Sequence, residues 1–465
     1  MSILSQIGYS GVRASQIALT ASGQNVANVH TPGFSRLAPE LRSQAGQTAT
    51  SIGGGVQVSS IRRLSSDFLN QQLWRAGSDK SYFQTSQQYL GALEGLVYSE
   101  GSSVSVGLDN FFAALSEASS TPESIALRQQ IIGEAKQLSQ RFNGLNANIA
   151  TQLDSLHGQR LAMVNEINGL SANIAELNAQ ILEMESAGRD TSTLQDYREN
   201  LIKELGQYAG IRVQAAADGS LGVSLVNGQP LVAGNSAGQL KVNRTAEGEQ
   251  QVSLVFAKTT FPLVQQGIGG ALGGLYDMEY GALRPAQGNL HEMAGALAER
   301  VNQVLANGYD LNGQPGRPLF AYNPASTSAM LTVAAITPEQ LAFSAVAPGV
   351  DANGDPLPVV GDNQNLLALL ELRAVGVSVA GSVVPLNDAY AGLVGRIGSA
   401  SRQNQADLAA ATIVEQQAQA QRDSVSGVNL DEEAVNLMAY QQAYQANMKV
   451  IATSNDLFNA VLAMF

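Results

Sequence analysis

Residues 22–36 read SGQNVANVHTPGFSR, and they separate a helical segment from an extended one. Upstream, apolar residues recur at helical spacing over residues 2–28, although three glycines weaken the pattern. The tetrapeptide Thr31-Pro32-Gly33-Phe34 fits a type II turn, which favours proline at its second position and glycine at its third. Residues 35–60 are then predicted to be extended. The stretch is therefore expected to form a joint between two kinds of secondary structure.

Residues 426–465 contain the second decisive pattern. Asn429 is a good helix N-cap, and the acidic residues at 431–433 suit the positive end of a helix dipole. Apolar residues then recur every seven positions, with two more on the neighbouring row: Leu437, Tyr444, Ile451, Phe458 and Phe465, with Met448 and Leu462. This helix is either an ordinary core helix or part of a contact between subunits. Its bare apolar end favours the second interpretation, because such a surface is expected to be covered by protein.

Apolar residues in the middle of the chain follow a repeat of seven. The first row consists of Phe142, Ile149, Leu156, Met163, Leu170, Leu177 and Met184. A second row, four positions further along the helix, consists of Leu153, Ile167, Ile174 and Ile181, and Arg160 interrupts it. Two such rows are typical of coiled coils, and they predict a long helical rod over residues 123–187. Glycines at positions 144, 158 and 169 leave open the alternative of several shorter bundle helices.

Short apolar runs separated by Gly, Asn and Asp begin near residue 211 and predict a small β domain of hairpins. Residues 310–365 are predicted to form loops or a further β portion. Helical patterns occupy residues 275–306, 366–374, 386–423 and the segment from about Asp431 onwards. The predicted fold class is therefore α+β and multidomain. A long helical coiled-coil stem is built from both chain ends and the 123–187 rod, a small β-rich domain is inserted, and the two ends of the chain lie together.

The composition argues against several classes of protein. The 465 residues carry a net charge of −13 and no basic run, so no nucleic-acid partner is expected. The absence of cysteine excludes disulfides and thiolate metal sites. No apolar stretch is long enough to span a membrane, and the first residues lack the pattern of a cleaved signal peptide. Only 14% of the residues are charged, which suits packing against protein neighbours.

Three segments resemble chemical sites, and each lacks a residue that the chemistry requires. His291-Glu292 starts like the zinc motif H-E-x-x-H, but Gly295 stands where the second histidine belongs. The glycines of residues 267–273 are not followed by the lysine and hydroxyl residue of a phosphate-binding loop. His30 has no acidic residue nearby in the sequence to orient its imidazole, so we expect it to make a surface or interface contact.

A further segment resembles the start of a calcium loop. Asp351, Asn353 and Asp355 alternate as calcium ligands do, but Pro356 occupies the sixth position, where the loop requires glycine. A solvated turn is the preferred interpretation, and weak calcium binding by these three residues is left open. We expect no catalytic residues, no cofactor and no resident metal.

Both ends of the chain resemble the axial proteins of the bacterial flagellum. Residues 22–36 look like the N-terminal signature of the rod and hook class. The segments SGVNLDEEAVNLMAYQQAYQANMKVI (426–451) and TSNDLFNAVL (453–462) look like the C-terminal end of the same class. Within it, the SGVNLDEE form and ANGYDLNG (306–313) resemble the hook-associated protein 1 family of hook–filament junction proteins. We expect this chain to be short for that family.

The resemblance implies a function and a set of partners. It implies a structural subunit at the hook–filament junction that is needed for filament assembly and motility, and that is not an enzyme. It implies export without cleavage through the flagellar type III apparatus and an extracellular location. The implied partners are a ring of like subunits, the hook protein, a second hook-associated junction protein and an export chaperone bound to the C-terminal helix. The alternatives are another axial protein, such as hook protein, a flagellin-like protein or the second junction protein, and an enzyme carried on a flagellar scaffold.

The resemblance also implies a division into domains and an assembly interface. Terminal coiled-coil helices (1–35 and 430–465) form the inner core, a helical rod domain comprises 36–210, 273–309 and 366–429, and a β-rich outer domain comprises 211–272 and 310–365. The expected interface residues of the first helix and the joint are Ile3, Ile7, Ile17, Asn25, Asn28, Pro32, Gly33 and Phe34. Those of the last helix are Leu437, Tyr444, Met448, Ile451, Phe458, Leu462 and Phe465.

Overall fold

The structure is a computed structural model that describes residues 3–45, 53–99, 101, 103–244, 250–263, 267–347, 349, 357 and 361–464. The chain forms two compact units. The first comprises Met1–Ser81, Met163–Gly270 and Ala410–Phe465, and the second comprises Tyr82–Ala162 and Ala271–Ala409. The two β-rich segments that were expected to share one outer domain fall into different units, residues 211–270 in the first and 310–365 in the second.

Helices dominate the fold, as the α+β prediction with a helical stem requires. The described residues form ten α-helices: α1 (Ile3–Ala27), α2 (Asp67–Tyr98), α3 (Val104–Ala118), α4 (Ile125–Ser186), α5 (Ser192–Tyr208), α6 (Gly270–Met278), α7 (Arg284–Ala306), α8 (Gln364–Glu371), α9 (Leu386–Ser426) and α10 (Leu430–Leu462). A π-helical turn, Glu279–Leu283, connects α6 to α7. Among the described residues, no helix has both the length and the apolar character that crossing a membrane requires.

The predicted rod is confirmed as one uninterrupted helix, because α4 contains 62 residues. Its three glycines do not divide it. No other group lies within 4 Å of the position that a Cβ would take at Gly144, Gly158 or Gly169, so they lie on open faces of the helix. The two apolar rows form the buried side, except that Met163 and Met184 are only half-buried.

Arg160, the interruption in the second row, is completely buried in the second unit. Its guanidinium donates to Glu279 Oε2 at 2.5 Å, and Glu279 also accepts from Arg284 at 2.7 Å and lies 3.2 Å from His157 Nε2. Burial alone would raise the pKa of Glu279, but the positive charge and hydrogen bonds of Arg160, with those of Arg284 and His157, outweigh it and lower that pKa. An ion pair therefore replaces an apolar contact at this point of the seam.

The strands form small antiparallel sheets. In the first unit, β1 (Leu37–Gln44) pairs with β2 (Gly55–Arg63) in a separate hairpin. The predicted β domain is confirmed as a four-stranded and a three-stranded sheet: β3 (Ile211–Ala215), β4 (Leu221–Leu225), β5 (Pro230–Ala233) and β6 (Ser236–Ala237), then β7 (Gln239–Arg244), β8 (Gln250–Phe256) and β9 (Thr259–Pro262). In the second unit, β10 (Phe320–Tyr322) pairs with β11 (Leu331–Val333), and β12 (Val377–Val379) pairs with β13 (Ser382–Val384).

Asparagine side chains repeatedly attach strands and loops to helices. In each case the amide nitrogen of a helical asparagine donates to the backbone carbonyl of a strand residue. The amide oxygen of the asparagine accepts the backbone N–H of that strand residue. Within the described part of the chain this occurs five times: Asn25 with Leu37, Asn143 with Leu331, Asn168 with Leu240, Asn178 with Leu221 and Asn302 with Phe320. The amide satisfies backbone groups that no neighbouring strand reaches.

Candidate functional site

The helices α1 and α10 pack against each other in opposite directions, so both ends of the described chain lie together as predicted. Gly8 faces Ile451 and the backbone of Asn447, while Gly11 faces the Asn447 side chain. A Cβ on Gly8 would lie 2.8 Å from Ile451 Cγ1 and 3.3 Å from the Asn447 carbonyl oxygen. The two helices approach this closely because α1 carries no side chain at the crossing.

The buried face of α1 is made of small and polar residues: Ser5, Gly8, Gly11, Ala14, Ser15, Ala18, Ala21, Ser22 and Asn25. The large apolar residues that predicted the helix lie elsewhere on it. Ile3 is 69% exposed, and Ile7 and Ile17 are half-buried. Their side chains are therefore open to a neighbouring molecule, and their place in an assembly interface stays a prediction.

Helix α10 is largely uncovered. Of its 33 residues, only Glu433 and Ser454 are buried. The predicted interface residues divide into two groups, because Leu437, Tyr444 and Ile451 are half-buried whereas Met448, Phe458 and Leu462 are exposed. Phe465 lies outside the described residues.

The last two turns of α10 extend beyond its partner helix. Gly8 lies opposite Ile451 in an antiparallel pair, so Ile3, where α1 begins, lies opposite residue 456 or so. The apolar tip of α10, which we define as Leu457, Phe458, Val461, Leu462 and Met464, therefore lies past the described end of α1, and each of its side chains is at least half exposed.

The joint after α1 is held by asparagine side chains. Asn25 is fully buried, its Nδ2 donates to the Leu37 carbonyl and its Oδ1 accepts the Leu37 N–H, both at 2.9 Å. Asn25 therefore acts inside the subunit, although it was expected at the surface between subunits. Asn28 follows the last residue of α1, its Nδ2 donates back to the Gln24 carbonyl of that helix at 2.9 Å, and Asn28 remains half-buried.

The predicted type II turn is present. The Phe34 N–H donates to the Thr31 carbonyl at 3.2 Å, and Gly33 has a φ of 79°, which side-chain-bearing residues rarely adopt. Arg422 of α9 donates to the Gly33 carbonyl at 2.8 Å and to Ser35 Oγ at 3.1 Å. Pro32 is exposed, although its carbonyl accepts a hydrogen bond from Asn200 at 3.2 Å.

Two ion-pair clusters fix the chain that leaves the turn. Arg36 NH1 lies 2.6 Å from Glu432 and its Nε lies 2.8 Å from Glu433, so it pairs with two of the three acidic residues in the first turn of α10. The Ser35 N–H donates to Asp196 Oδ2 at 3.1 Å. Asp196 is in turn paired with the buried Arg63 at 2.6 Å. The joint is thus attached to α5, α9 and α10 of the same unit.

Sequence reasoning missed the charged partners of the joint. Arg36 is only the last residue of the motif at 22–36, and Asp196, Arg63 and Arg422 belong to no recognisable motif. Each pairs with a residue that is distant in the sequence, so no local pattern reports the contact. Glu433 was recognisable as an acidic residue in the first turn of a helix. That pattern does not identify Arg36 as its partner.

The segments that resembled chemical sites are occupied by structural contacts. His291 Nε2 lies 3.1 Å from Asn146 Oδ1 and its Nδ1 lies 3.4 Å from the Tyr322 hydroxyl, and burial lowers its pKa. The Tyr322 ring also covers Gly295, where a second zinc ligand would stand. In the described part of the chain, no group of three or more His, Asp or Glu side chains is arranged to hold a metal ion.

The other candidate segments have separate outcomes. Within residues 267–273, Ile268 is buried and its carbonyl accepts the Gly210 N–H at 2.9 Å, so this segment packs against the β domain. His30 is exposed. The three candidate calcium ligands, Asp351, Asn353 and Asp355, lie outside the described residues.

Comparison with known families supports the interpretation of the middle of the chain and of its C-terminal end. The model of the flagellar hook-associated protein FlgK helical domain matches residues 90–320. The model of the C-terminal region of flagellar basal body rod FlgEFG proteins matches residues 419–464, which include all of α10. The segment that is similar to the rod proteins therefore contains α10, the helix whose apolar face is exposed.

Relatives match over almost the whole chain. Flagellar hook-associated protein 1 of Escherichia coli (strain K12) is 27% identical over 546 positions, which cover 99% of this chain and all of the relative. The protein of the same name from Salmonella typhimurium is 28% identical over 553 positions, and that from Bacillus subtilis is 24% identical over 486 positions. Alignments longer than 465 positions mean that these relatives contain segments that this chain lacks, as its short length for the family predicted.

The solved structure of the flagellar hook junction protein FlgK from Burkholderia pseudomallei has the same fold. Its TM-score is 0.68 at 19% identity, and the match covers 77% of this chain and all of that structure. The matched 77% of this chain thus has a known architecture. Family models, full-length relatives and fold agree, and the chain belongs to the FlgK family of flagellar hook-associated proteins.

Proposed function

We propose that this protein is a structural subunit of the bacterial flagellum at the hook–filament junction, where it is needed for filament assembly and motility. The observation that carries the proposal is the open face of α10. A helix of 33 residues that buries only Glu433 and Ser454 cannot be the finished core of an isolated protein. The match of the flagellar rod family to residues 419–464 supports axial neighbours as the molecules that cover it.

The partners follow from the same surface. We propose that like subunits form a ring through α1 and α10, with hook protein on one side and a second hook-associated junction protein on the other. The exposed or half-buried positions Ile3, Ile7, Ile17, Leu437, Tyr444, Met448, Ile451, Phe458 and Leu462 are available for these contacts, and Pro32, Gly33 and Phe34 lie at the joint beside them. Before assembly, an export chaperone is proposed to cover the apolar side of α10, and export is proposed to use the flagellar type III apparatus without cleavage.

The separation of an inner core from the rest of the chain also stays a proposal. In this proposal, residues 1–35 and 430–465 form the inner core. The asparagine contact between α1 and β1 supports a fixed connection from that core to the rest of the first unit.

We further propose that the protein is not an enzyme. The family is one of structural flagellar proteins, and the residues that resembled a zinc motif are engaged elsewhere. His291 contacts Asn146 and Tyr322, and the position of the second ligand is Gly295. This supports a structural role over the alternative of a wall hydrolase carried on a flagellar scaffold.

Gold-labelled antibodies against the purified protein, applied to isolated flagella, test the proposal. A single band of label between hook and filament is expected. A strain that lacks the gene should make hooks without filaments, and flagellin should appear in the medium. Label along the whole hook or the whole filament would instead indicate another axial protein, and normal filaments on the deletion strain would contradict the proposed function.

A further inference from the structure

A groove of about 530 Å³ lies between α1, α10 and the β1–β2 hairpin of the first unit. It is lined by Gly11, Ala14 and Ala18 of α1, by Val56 of β2 and by Ala439 and Ala443 of α10, and no residue that lines it is charged. Its volume falls in the range of about 300–1,000 Å³ that is typical of protein pockets for apolar ligands. The small side chains of the two helices leave this space open.

The hairpin wall of the groove is attached to α1. The Val56 N–H donates to Ser10 Oγ at 3.1 Å, and the Ser10 hydroxyl donates to the Ile7 carbonyl at 2.7 Å. Asn25 holds the other strand through Leu37. The groove is therefore formed within one subunit and does not depend on an occupant.

The apolar tip of α10 has the complementary chemistry. Residues 457–464 read LFNAVLAM and contain no charge, and Leu457, Phe458, Val461, Leu462 and Met464 have no described segment of α1 beside them. Uncharged apolar side chains that enter an uncharged groove leave no ionic group unpaired. A second, smaller groove of about 270 Å³ beside α1 is a poorer match, because Arg13 and glutamine side chains line it.

The tip cannot occupy the groove of its own subunit. Ala443 and Phe458 lie on one continuous helix, and fifteen residues of α-helix separate them by roughly 22 Å. An occupant with this chemistry must therefore come from another molecule. A contact that joins two different surfaces of identical subunits is heterologous, and repeating it generates a ring or a helical array.

We propose that the apolar tip of α10 of one subunit docks into the groove between α1, α10 and the β1–β2 hairpin of a second copy of this chain. The assignment rests on the proposed function, because that function brings copies of the chain together. In this contact, Phe458 and Leu462 of one subunit lie in the groove of the neighbouring subunit and pack against its Ala14 and Ala443.

Cysteine pairs test this contact directly, since the chain contains no cysteine of its own. Ala443→Cys combined with Phe458→Cys should give disulfide-linked multimers in isolated flagella under mild oxidation. The pair is too far apart to close within one helix, so every such bond is intermolecular. The control combines Phe458→Cys with Ala446→Cys, an equally exposed alanine that does not line the groove. The control should give at most one-tenth of the multimers.

Filling the groove provides the second measurement. Ala443→Trp should reduce the number of filaments at least tenfold while the purified protein stays folded, and Ala446→Trp should leave filament number unchanged. The groove assignment would be overturned by equal cross-linking of both cysteine pairs, by no cross-linking at all, or by cross-linking of Ala443→Cys to Ile3→Cys instead. If the gold label still lay at the junction, the proposed function would stand. Absence of label from the junction would instead contradict the proposed function.

Discussion

The side chain of Asn25 and the backbone of Leu37 exchange two hydrogen bonds of 2.9 Å, one in each direction. The amide pairs with the backbone as a neighbouring β-strand would, although Asn25 belongs to a helix. Only an amide side chain offers a donor and an acceptor in this arrangement. The same geometry at Asn143, Asn168, Asn178 and Asn302 indicates that this chain attaches its small β segments to helices mainly through asparagine.

Asn25→Ala should destabilise the attachment of the β1–β2 hairpin by about 1–3 kcal/mol, because it leaves the backbone N–H and carbonyl of the half-buried Leu37 without their Asn25 partner. Asn25→Asp should be at least as harmful, since a carboxylate cannot donate to the Leu37 carbonyl. Hydrogen exchange of the Leu37 amide is the measurement. Asn28→Ala is the matched control, because the Asn28 side chain contacts the Gln24 carbonyl of α1 and the Thr31 hydroxyl rather than β1, and it should change the exchange rate little. Equal effects of both alanine variants would refute this role of Asn25.

Gly8→Leu should separate α1 from α10, because no space exists for a side chain between Gly8 and Ile451. The expected cost is about 1–3 kcal/mol, as for other overpacked sites. Gly23→Leu is the control: it lies on the same helix, and nothing lies within 4 Å of the position of its Cβ. Limited proteolysis should cut α1 faster in the first variant than in the second, and similar rates would show that the close approach is unimportant.

Arg422→Lys should loosen the joint, although the charge is kept. The two terminal nitrogens of Arg422 donate to different groups, NH2 to the Gly33 carbonyl and Ser35 Oγ and NH1 to the Phe34 carbonyl, and the single nitrogen of a lysine cannot reproduce this arrangement. Each hydrogen bond to a charged group contributes about 1.5–3 kcal/mol, so we expect a loss of that order. Faster hydrogen exchange of the Ser35 amide is the measurement, and Arg402→Lys, at an exposed position of the same helix, should leave it unchanged. An unaltered rate in Arg422→Lys would contradict the prediction.

The second unit should lose stability in acid because of Glu279. The pKa of this carboxyl is lowered in the folded protein, since Arg160, Arg284 and His157 outweigh the effect of burial. Its stabilisation is therefore fully present above the ordinary glutamate pKa of about 4.3 and is lost as the pH falls through the lower folded value. Denaturation midpoints measured over this acidic range should show the loss.

Glu279→Gln is the variant that isolates this effect. It should reduce the acid dependence and should also destabilise the second unit at neutral pH by about 3–5 kcal/mol, because the buried Arg160 loses the negative charge of Glu279. Glu299→Gln, at an exposed position of α7, is the control and should change neither quantity. If the acid dependence of Glu279→Gln matches that of the unchanged protein, Glu279 is not its source.

Local patterns in the sequence predicted most helices and the β domain. The seven-residue rows predicted α4, and Asn429 with the acidic residues after it marked the start of α10. The turn at Gly33 was also predictable, because proline and glycine constrain the backbone locally. These features depend on residues that are neighbours in the chain.

The packing of these elements was not predictable in the same way. Arg160 looked like a defect in an apolar row, because its partner Glu279 is far away in the sequence. The buried face of α1 was missed, since small residues such as Gly8 and Gly11 carry little hydrophobic signal and become informative only when the partner helix is known. The hairpin β12–β13 was missed because its strands contain only three residues each.

The pairing of Gly8 with Asn447 also sets the order in which the protein can fold. Chains are synthesised from the N-terminus, so α1 leaves the ribosome long before its partner α10 exists. Each of the three glycines in α1 costs about 1 kcal/mol of helix stability relative to alanine, so α1 is marginal on its own in water. The segment that is translated early is therefore among the last to fold, and throughout translation it stays an accessible, unstructured stretch that other proteins can recognise.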